Sequence, residues 1–171
     1  NRPVVLPSPE DILAPVTVNS SPDSENDQDR ARVIEETLRS FNTPAHVVEI
    51  RRGPAITLFG VEPDYIESRN GKTRVRVSNI LRLTDDLAMA LKASRIRIQA
   101  PVPGKGYVGI EVPNQKTELV SLLELVQSPS FATNPDPPKF ALGKNVAGQP
   151  FTTSLADMPH LLLAGPPNPR K

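Results

Sequence analysis

The sequence has 171 residues, 37% of them apolar, with 20 prolines and no cysteine, which allows about one domain of roughly 150 residues plus tails and falls short of a complete two-domain nucleotide-driven motor. The lack of cysteine excludes disulfide stapling, thiol nucleophiles and cysteine zinc sites, and is compatible with a reducing compartment without proving one. The net charge of +1 averages unlike regions, because residues 1–50 hold 4 basic and 9 acidic side chains, residues 51–100 hold 10 and 5, and the rest hold 6 and 5; the basic middle third either attracts phosphate or is a solvated face.

Pro3, Pro7, Pro9, Pro15 and Pro22 mark residues 1–23 as a proline-rich arm or linker. From Ser24 to Phe41 the apolar residues Ala31, Ile34, Leu38 and Phe41 recur at helical spacing, with Glu25, Asp27 and Asp29 at the start and Arg39 near the end to suit the helix dipole. His46–Arg52 and Ala55–Val61 are β-rich segments separated by Gly53 and Pro54, and Asn70-Gly71 marks a further turn. Strict alternation over 73–77 places Arg74 and Arg76 on one face of a strand and Val75 and Val77 on the other. A helix over 79–93, capped by Ser78, should bury Ile80, Leu83, Leu87 and Leu91.

Alternation returns at Arg95, Ile96, Arg97 and Ile98, and a loop with Pro103, Gly104 and Gly106 turns this strand (95–100) toward a second one at 107–112. Thr117 is the expected cap of a helix over 118–126, with Leu119, Leu122, Leu123 and Val126 on one face. Pro129, Pro135, Pro137 and Pro138 make 128–139 a linker, and 140–142 with 151–154 form a hairpin around Gly143–Gly148. The run Leu161-Leu162-Leu163-Ala164 predicts a buried strand. No apolar run reaches the ~20 residues of a membrane span and no signal-peptide pattern opens the chain, so a cytoplasmic fragment is expected; a start at Asn1 fits a processed or excised piece of something longer.

Several strings, in order, resemble the FtsK/SpoIIIE DNA translocases: Gly53-Pro54-Ala55-Ile56-Thr57, Leu83 to Leu91 (LTDDLAMAL), Ile96-Arg97-Ile98, Pro101-Val102-Pro103-Gly104-Lys105, Val108 to Asn114 (VGIEVPN), Leu142 to Gly148 (LGKNVAG) and Met158 to Gly165 (MPHLLLAG). The resemblance covers residues 30–165. It implies the α domain of a bacterial, inner-membrane-anchored, double-stranded DNA pump that works as a hexameric ring in chromosome segregation at division or sporulation, followed by the start of a RecA-like β domain. On that basis residues 24–127 are the α domain and 140–171 the opening of the β domain. The fold expected is α+β: a mixed or mostly antiparallel sheet of about five strands with two main helices on one face, then a linker and a truncated β-rich stub.

Chemistry is where the resemblance stops. A phosphate loop needs G-x-x-x-x-G-K-[S/T], with glycine amides facing the phosphates and a hydroxyl on magnesium. Counting from Gly165, Arg170 stands at the second glycine and Lys171 at the lysine, while Pro166, Pro167 and Pro169 lack amide donors. Gly165 and Lys171 are therefore a degenerate remnant at most, no catalytic residue or metal site is expected, and this chain is read as no enzyme and as holding no cofactor. ATP and magnesium are expected only in the full-length parent. His46 and His160 lack ligand spacing, and Asp85 and Asp86 point about 100° apart on a helix, as a solvated face or subunit contact rather than an acid pair. Pro103 to Gly106 is a turn rather than a phosphate loop, and with aromatics at 4% there is no stacking platform for single strands. Arg74, Arg76, Arg95 and Arg97, with Lys105, are the candidates for contact with DNA or a neighbouring subunit. The expected role is a ring-forming, force-transmitting module without membrane contact; the alternatives are a stand-alone adaptor that has lost the motor and a degenerate P-loop ATPase.

Overall fold

The computed structural model describes residues 7–14, 24–68, 71–133, 139–162 and 164. The chain divides into two units: residues 17–119 with 144–149, and residues 1–16, 120–143 and 150–171. Among the described residues no helix is long and apolar enough to cross a membrane.

One turn of helix, α1 (Pro9–Ile12), lies in the proline-rich lead-in. Its capping box pairs Ser8 with Asp11, and proline at its first position already has the helical φ.

The sheet unit begins with α2 (Ser24–Ser40), whose Ala31, Ile34 and Leu38 are buried. Phe41, expected on that stripe, falls one residue past the helix end and is 49% exposed. β1 (Ala45–Arg52) and β2 (Ile56–Pro63) form an antiparallel pair with a bulge between Val47 and Glu49. The Glu35 carboxylate accepts the Val47 amide at 2.7 Å beside that bulge, tying helix to strand. β3 (Tyr65–Ser68) and β4 (Gly71–Arg74) make a separate two-stranded sheet, so the arginine-valine alternation belongs to a side hairpin and not to the main sheet. Alternation breaks after Val75, which is buried, because Val77 already starts α3 (Val77–Arg82) and is exposed.

The expected helix over 79–93 is two helices, α3 and α4 (Thr84–Ala90), which meet at Leu83 (φ −90°, ψ 16°). At this junction the Thr84 hydroxyl donates to the Leu81 carbonyl at 2.7 Å, a back-bond of the kind that bends helices. Ser78 does not cap: Arg76 occupies the cap position and Ser78 sits inside the first turn. β5 is only Arg97–Gln99, since Pro101, joined to Ala100 by a cis peptide, has no amide N–H to continue a ladder. β6 (Val108–Pro113) completes the four-stranded antiparallel sheet, in the order β1-β2-β6-β5.

Register divides the sheet into two faces. Phe59 pairs with Ile110 and Val61 with Val108, and these residues form one buried cluster with Ile34, Leu38, Ile80 and Leu87. The helices therefore pack on one face, as expected of an α+β fold. On the other face lie Glu49, paired with Gly60, Arg51, paired with Leu58, and Arg97, paired with Glu111.

In the other unit, α5 (Leu122–Gln127) starts later than expected because Ser121, not Thr117, accepts the Glu124 amide as cap. Leu123 and Leu125 are buried while Leu119 and Leu122 are exposed. α6 (Pro129–Ala132) occupies the first part of the proline linker, again with proline at the first helical position and a serine cap, Ser128; 134–138 lie outside the described residues. β7 (Lys139–Lys144) and β8 (Pro150–Ser154) pair as a two-stranded sheet, followed by a 3-10 turn at Leu155–Asp157. Residues 160–162 are not a strand: no described segment pairs with them, and Leu162 is 90% exposed. Leu163 lies outside the described residues.

Candidate functional site

The polar face of the sheet is organised by Glu49. Its Oε2 accepts the Tyr107 hydroxyl at 2.6 Å and the Lys105 ammonium at 3.2 Å, and its Oε1 accepts Arg51 Nε at 2.6 Å. Tyr107 reaches inward over the sheet because Gly60 lies beneath its ring; a Cβ there would meet the ring carbons at 2.9 Å. Three donors converging on one carboxylate favour its charged form. The Tyr107 hydroxyl first and then Arg51 bring Glu49 down to about 2, with burial opposing them and Lys105 adding less than either. The Tyr107 phenol moves up, chiefly through burial and then through the facing carboxylate.

Beside this knot runs an open groove of about 400 Å³, lined by Pro63, Val75, Val77, Pro101 and Tyr107 and flanked by Arg74 and Lys105. The hairpin β3–β4 supplies one wall and the loop before β6 the other. Arg74 is held by Glu62 at 3.0 Å and by the Pro63 carbonyl at 3.3 Å, and Lys105 stands 5.8 Å from the Tyr107 ring centroid. Arg74 and Lys105, far apart in sequence, thus meet at one site.

Arg95 and Arg97 lie elsewhere, around a shallow depression with Ile96 and Glu111 at the β5 edge. Arg97 is 3.9 Å from Glu111. The four arginines accordingly do not share one sheet face, since β4 is outside the main sheet. Arg76 and Arg95 have no ion-pair partner among the described residues, whereas Arg74 and Arg97 do. Much of the charge asymmetry along the chain cancels in space: Arg51 pairs with Glu49 and Arg52 with Asp27 at 3.0 Å, joining the basic third to the acidic one. Arg30, buried beside Asp27, has its pKa lowered by that burial despite the facing carboxylate, and it donates to the Pro113 carbonyl at 2.7 Å.

Sequence reasoning singled out the cations and missed the carboxylates that hold them. Glu49 and Arg51, two apart on one strand, carried a usable signal, because such residues share a face; that Tyr107 would reach them depended on the register of β2 with β6, which periodicity does not give. Gly165 and Lys171 lie outside the described residues. No group of three or more metal-ligating side chains occurs among the described residues.

A family model for the FtsK alpha domain matches residues 6–114. The chain is 46% identical over 137 residues to the DNA translocase FtsK of Caldanaerobacter subterraneus subsp. tengcongensis, covering 80% of this chain and 18% of that protein. It is 40% identical over 166 residues to the DNA translocase SpoIIIE of Bacillus subtilis, covering 96% of this chain and 20% of the relative. It is also 38% identical over 138 residues to the Bacillus subtilis DNA translocase SftA. The chain spans about a fifth of the length of the curated relatives it matches. The match of the FtsK alpha domain over residues 6–114 coincides with the four-stranded sheet and its helices, and on that evidence the chain belongs to the FtsK alpha domain family.

Proposed function

We propose that this chain is the α-domain portion of an ATP-driven double-stranded DNA translocase, acting as a ring-forming, force-transmitting module that hydrolyses no nucleotide by itself. The observation that carries this reading is the match of the α-domain model over most of the chain, among relatives named DNA translocases of which it covers about a fifth. Residues 24–127 form the α domain in this reading, 128–139 a linker and 140–171 the opening of a RecA-like β domain. The set Gly165, Arg170, Lys171 does not fit a nucleotide cradle, since an arginine and three prolines stand where backbone amides and glycine flexibility are needed. ATP and magnesium therefore belong to the parent protein. A cytoplasmic place, next to a parent held in the bacterial inner membrane, completes the proposal.

DNA or subunit contact falls to Arg74, Arg76, Arg95, Arg97 and Lys105. Arg76 and Arg95 contribute most, because no carboxylate among the described residues neutralises them. Changing the four arginines together to alanine is expected to weaken duplex binding, flatten its salt dependence by about 1 in log-log slope per lost phosphate contact, or reduce self-association. Fluorescence anisotropy across a salt series and sedimentation of the same sample read both. Identical behaviour of wild type and variant in the two measurements would remove these residues from either role. ATP hydrolysis by the purified chain above a blank, lost in Lys171→Ala, would replace the proposal by the degenerate-ATPase reading.

A further inference from the structure

The groove beside the Glu49 knot is apolar between two cations. Val77, Pro101 and Tyr107 contribute to its lining, with Arg74 and Lys105 at its sides. Val77 is 39% exposed there, although it opens α3. Both cations keep N–H groups that their ion pairs leave unused. Arg74 donates Nε to the Pro63 carbonyl and Nη2 to Glu62, and its Nη1 has no hydrogen-bond acceptor among the described residues. Lys105 gives Glu49 one N–H of its ammonium and keeps the others.

The helix α4 carries the complement of that groove. Leu87 is fully buried in the core cluster, which turns Asp85 and Met89, two residues before and after it, to the outer side of the helix. Met89 is 80% exposed. Asp85 and Asp86 have no ion-pair partner among the described residues, and α4 contains no basic residue. Since no α4 residue lines the groove, each copy of the chain offers a socket and a knob in different places. Two unlike patches of this kind join copies head to tail, in a ring where the rotation closes and in a filament where it does not.

We propose that the groove receives α4 of a second copy of this chain, with Met89 entering between Val77, Pro101 and Tyr107 while Asp85 and Asp86 meet Arg74 and Lys105. An unbranched methionine side chain fits an irregular apolar gap of this sort, and opposite charges beside it fix the register of the contact. The inference rests on the ring-forming reading above and deepens it, because it assigns Arg74 and Lys105 to the neighbouring subunit and leaves Arg95 and Arg97, at the β5 edge, outside that contact. Met89→Glu places a charge on the knob. Val77→Glu places one in the socket, in the first turn of α3 where the helix dipole favours an acid.

In sedimentation equilibrium the wild-type 171-residue chain is expected to self-associate below ~1 mM, the weak end of the affinity scale, and each variant alone to associate about tenfold more weakly. Circular dichroism checks that both keep the fold, and Lys105→Ala serves as the socket variant should Val77→Glu lose it. An equimolar mixture of knob and socket variants is the sharper sample. The Met89→Glu copy keeps an intact groove and the other copy an intact α4, so the mixture should recover the wild-type affinity and stop at a 1:1 pair. A wild type that stays monomeric up to ~1 mM, variants that associate as wild type does, or a mixture that recovers nothing would each overturn the contact. The first of these outcomes removes the ring-forming reading as well; the second leaves it standing, with self-association running through other residues. Duplex binding weakened by the socket variant, with self-association unchanged, would give the groove to DNA and overturn the contact too.

Discussion

The four-stranded sheet and the β7–β8 hairpin are built from similar strands and bury very different amounts of them. In the sheet, Phe59, Val61, Ile110 and Val112 are completely enclosed, because α2 and α4 cover the face on which they lie. In the hairpin, Leu142 is 58% and Phe151 55% exposed, and only Ser154 is buried among the β8 residues. Strand propensity is thus not what separates them. The extent of the covering layer is: α2 and α4 lie over the sheet, whereas the single turn of α6 is what meets β8, and a two-stranded ribbon with little cover is marginal.

The sharpest way to break that contrast is Phe59→Ala. Phe59 lies in the centre of β2 opposite Ile110, fully buried, with the Arg30 guanidinium 5.8 Å from its ring. Truncation leaves a cavity between helix and sheet and should cost about 3–5 kcal/mol, which urea unfolding followed by far-ultraviolet circular dichroism would register as a large drop in midpoint. A change under about 1 kcal/mol would mean that the layer contact is not what holds the sheet.

A smaller effect is expected on the opposite face, where polar groups and not a helix meet the sheet. Glu49 in the folded chain titrates at about 2 because Tyr107, Arg51 and Lys105 hold its charged form, well below the ordinary 4.5. A carboxylate lowered on folding adds stability above its unfolded pKa and loses it as pH falls through the folded one. The Glu49 contribution is therefore complete at neutral pH and disappears between about pH 4.5 and about pH 2. Glu49→Gln should lower the thermal midpoint at pH 7 and converge with wild type toward pH 2; a difference independent of pH would show that the Tyr107 bond, and not the charge, matters there.

The same contrast explains what the sequence revealed. Ala31, Ile34 and Leu38 announced the buried stripe of α2, and Gly53-Pro54 announced the break between β1 and β2, because a covered face imposes periodicity and a tight turn imposes composition. The side hairpin was less legible. Arg74 and Val75 alternate as in a sheet strand, and nothing local distinguishes β4 from a fifth strand of the main sheet. The division of α3 from α4 falls at Leu83, beside the Thr84 hydroxyl that turns back on Leu81, and apolar periodicity runs through that point unbroken. At the candidate site the cations were visible one by one, but the meeting of Arg74 with Lys105 and of Tyr107 with Glu49 is made by register and loop course, which pair residues far apart in the chain.

The smallest effect should come from the hairpin itself. Phe151 is an aromatic strand residue, as Phe59 is, yet more than half of it is already in water. The area that truncation could return to solvent is correspondingly small, and no enclosed cavity forms around a side chain more than half exposed. Phe151→Ala in the 171-residue chain should change stability by no more than about 0.5 kcal/mol, the range of ordinary surface substitutions. The same unfolding measurement that registers Phe59→Ala would detect a larger loss. Such a loss would show that Phe151 is covered by other residues of this chain, and the distinction between an enclosed sheet face and a half-exposed hairpin would have to be given up.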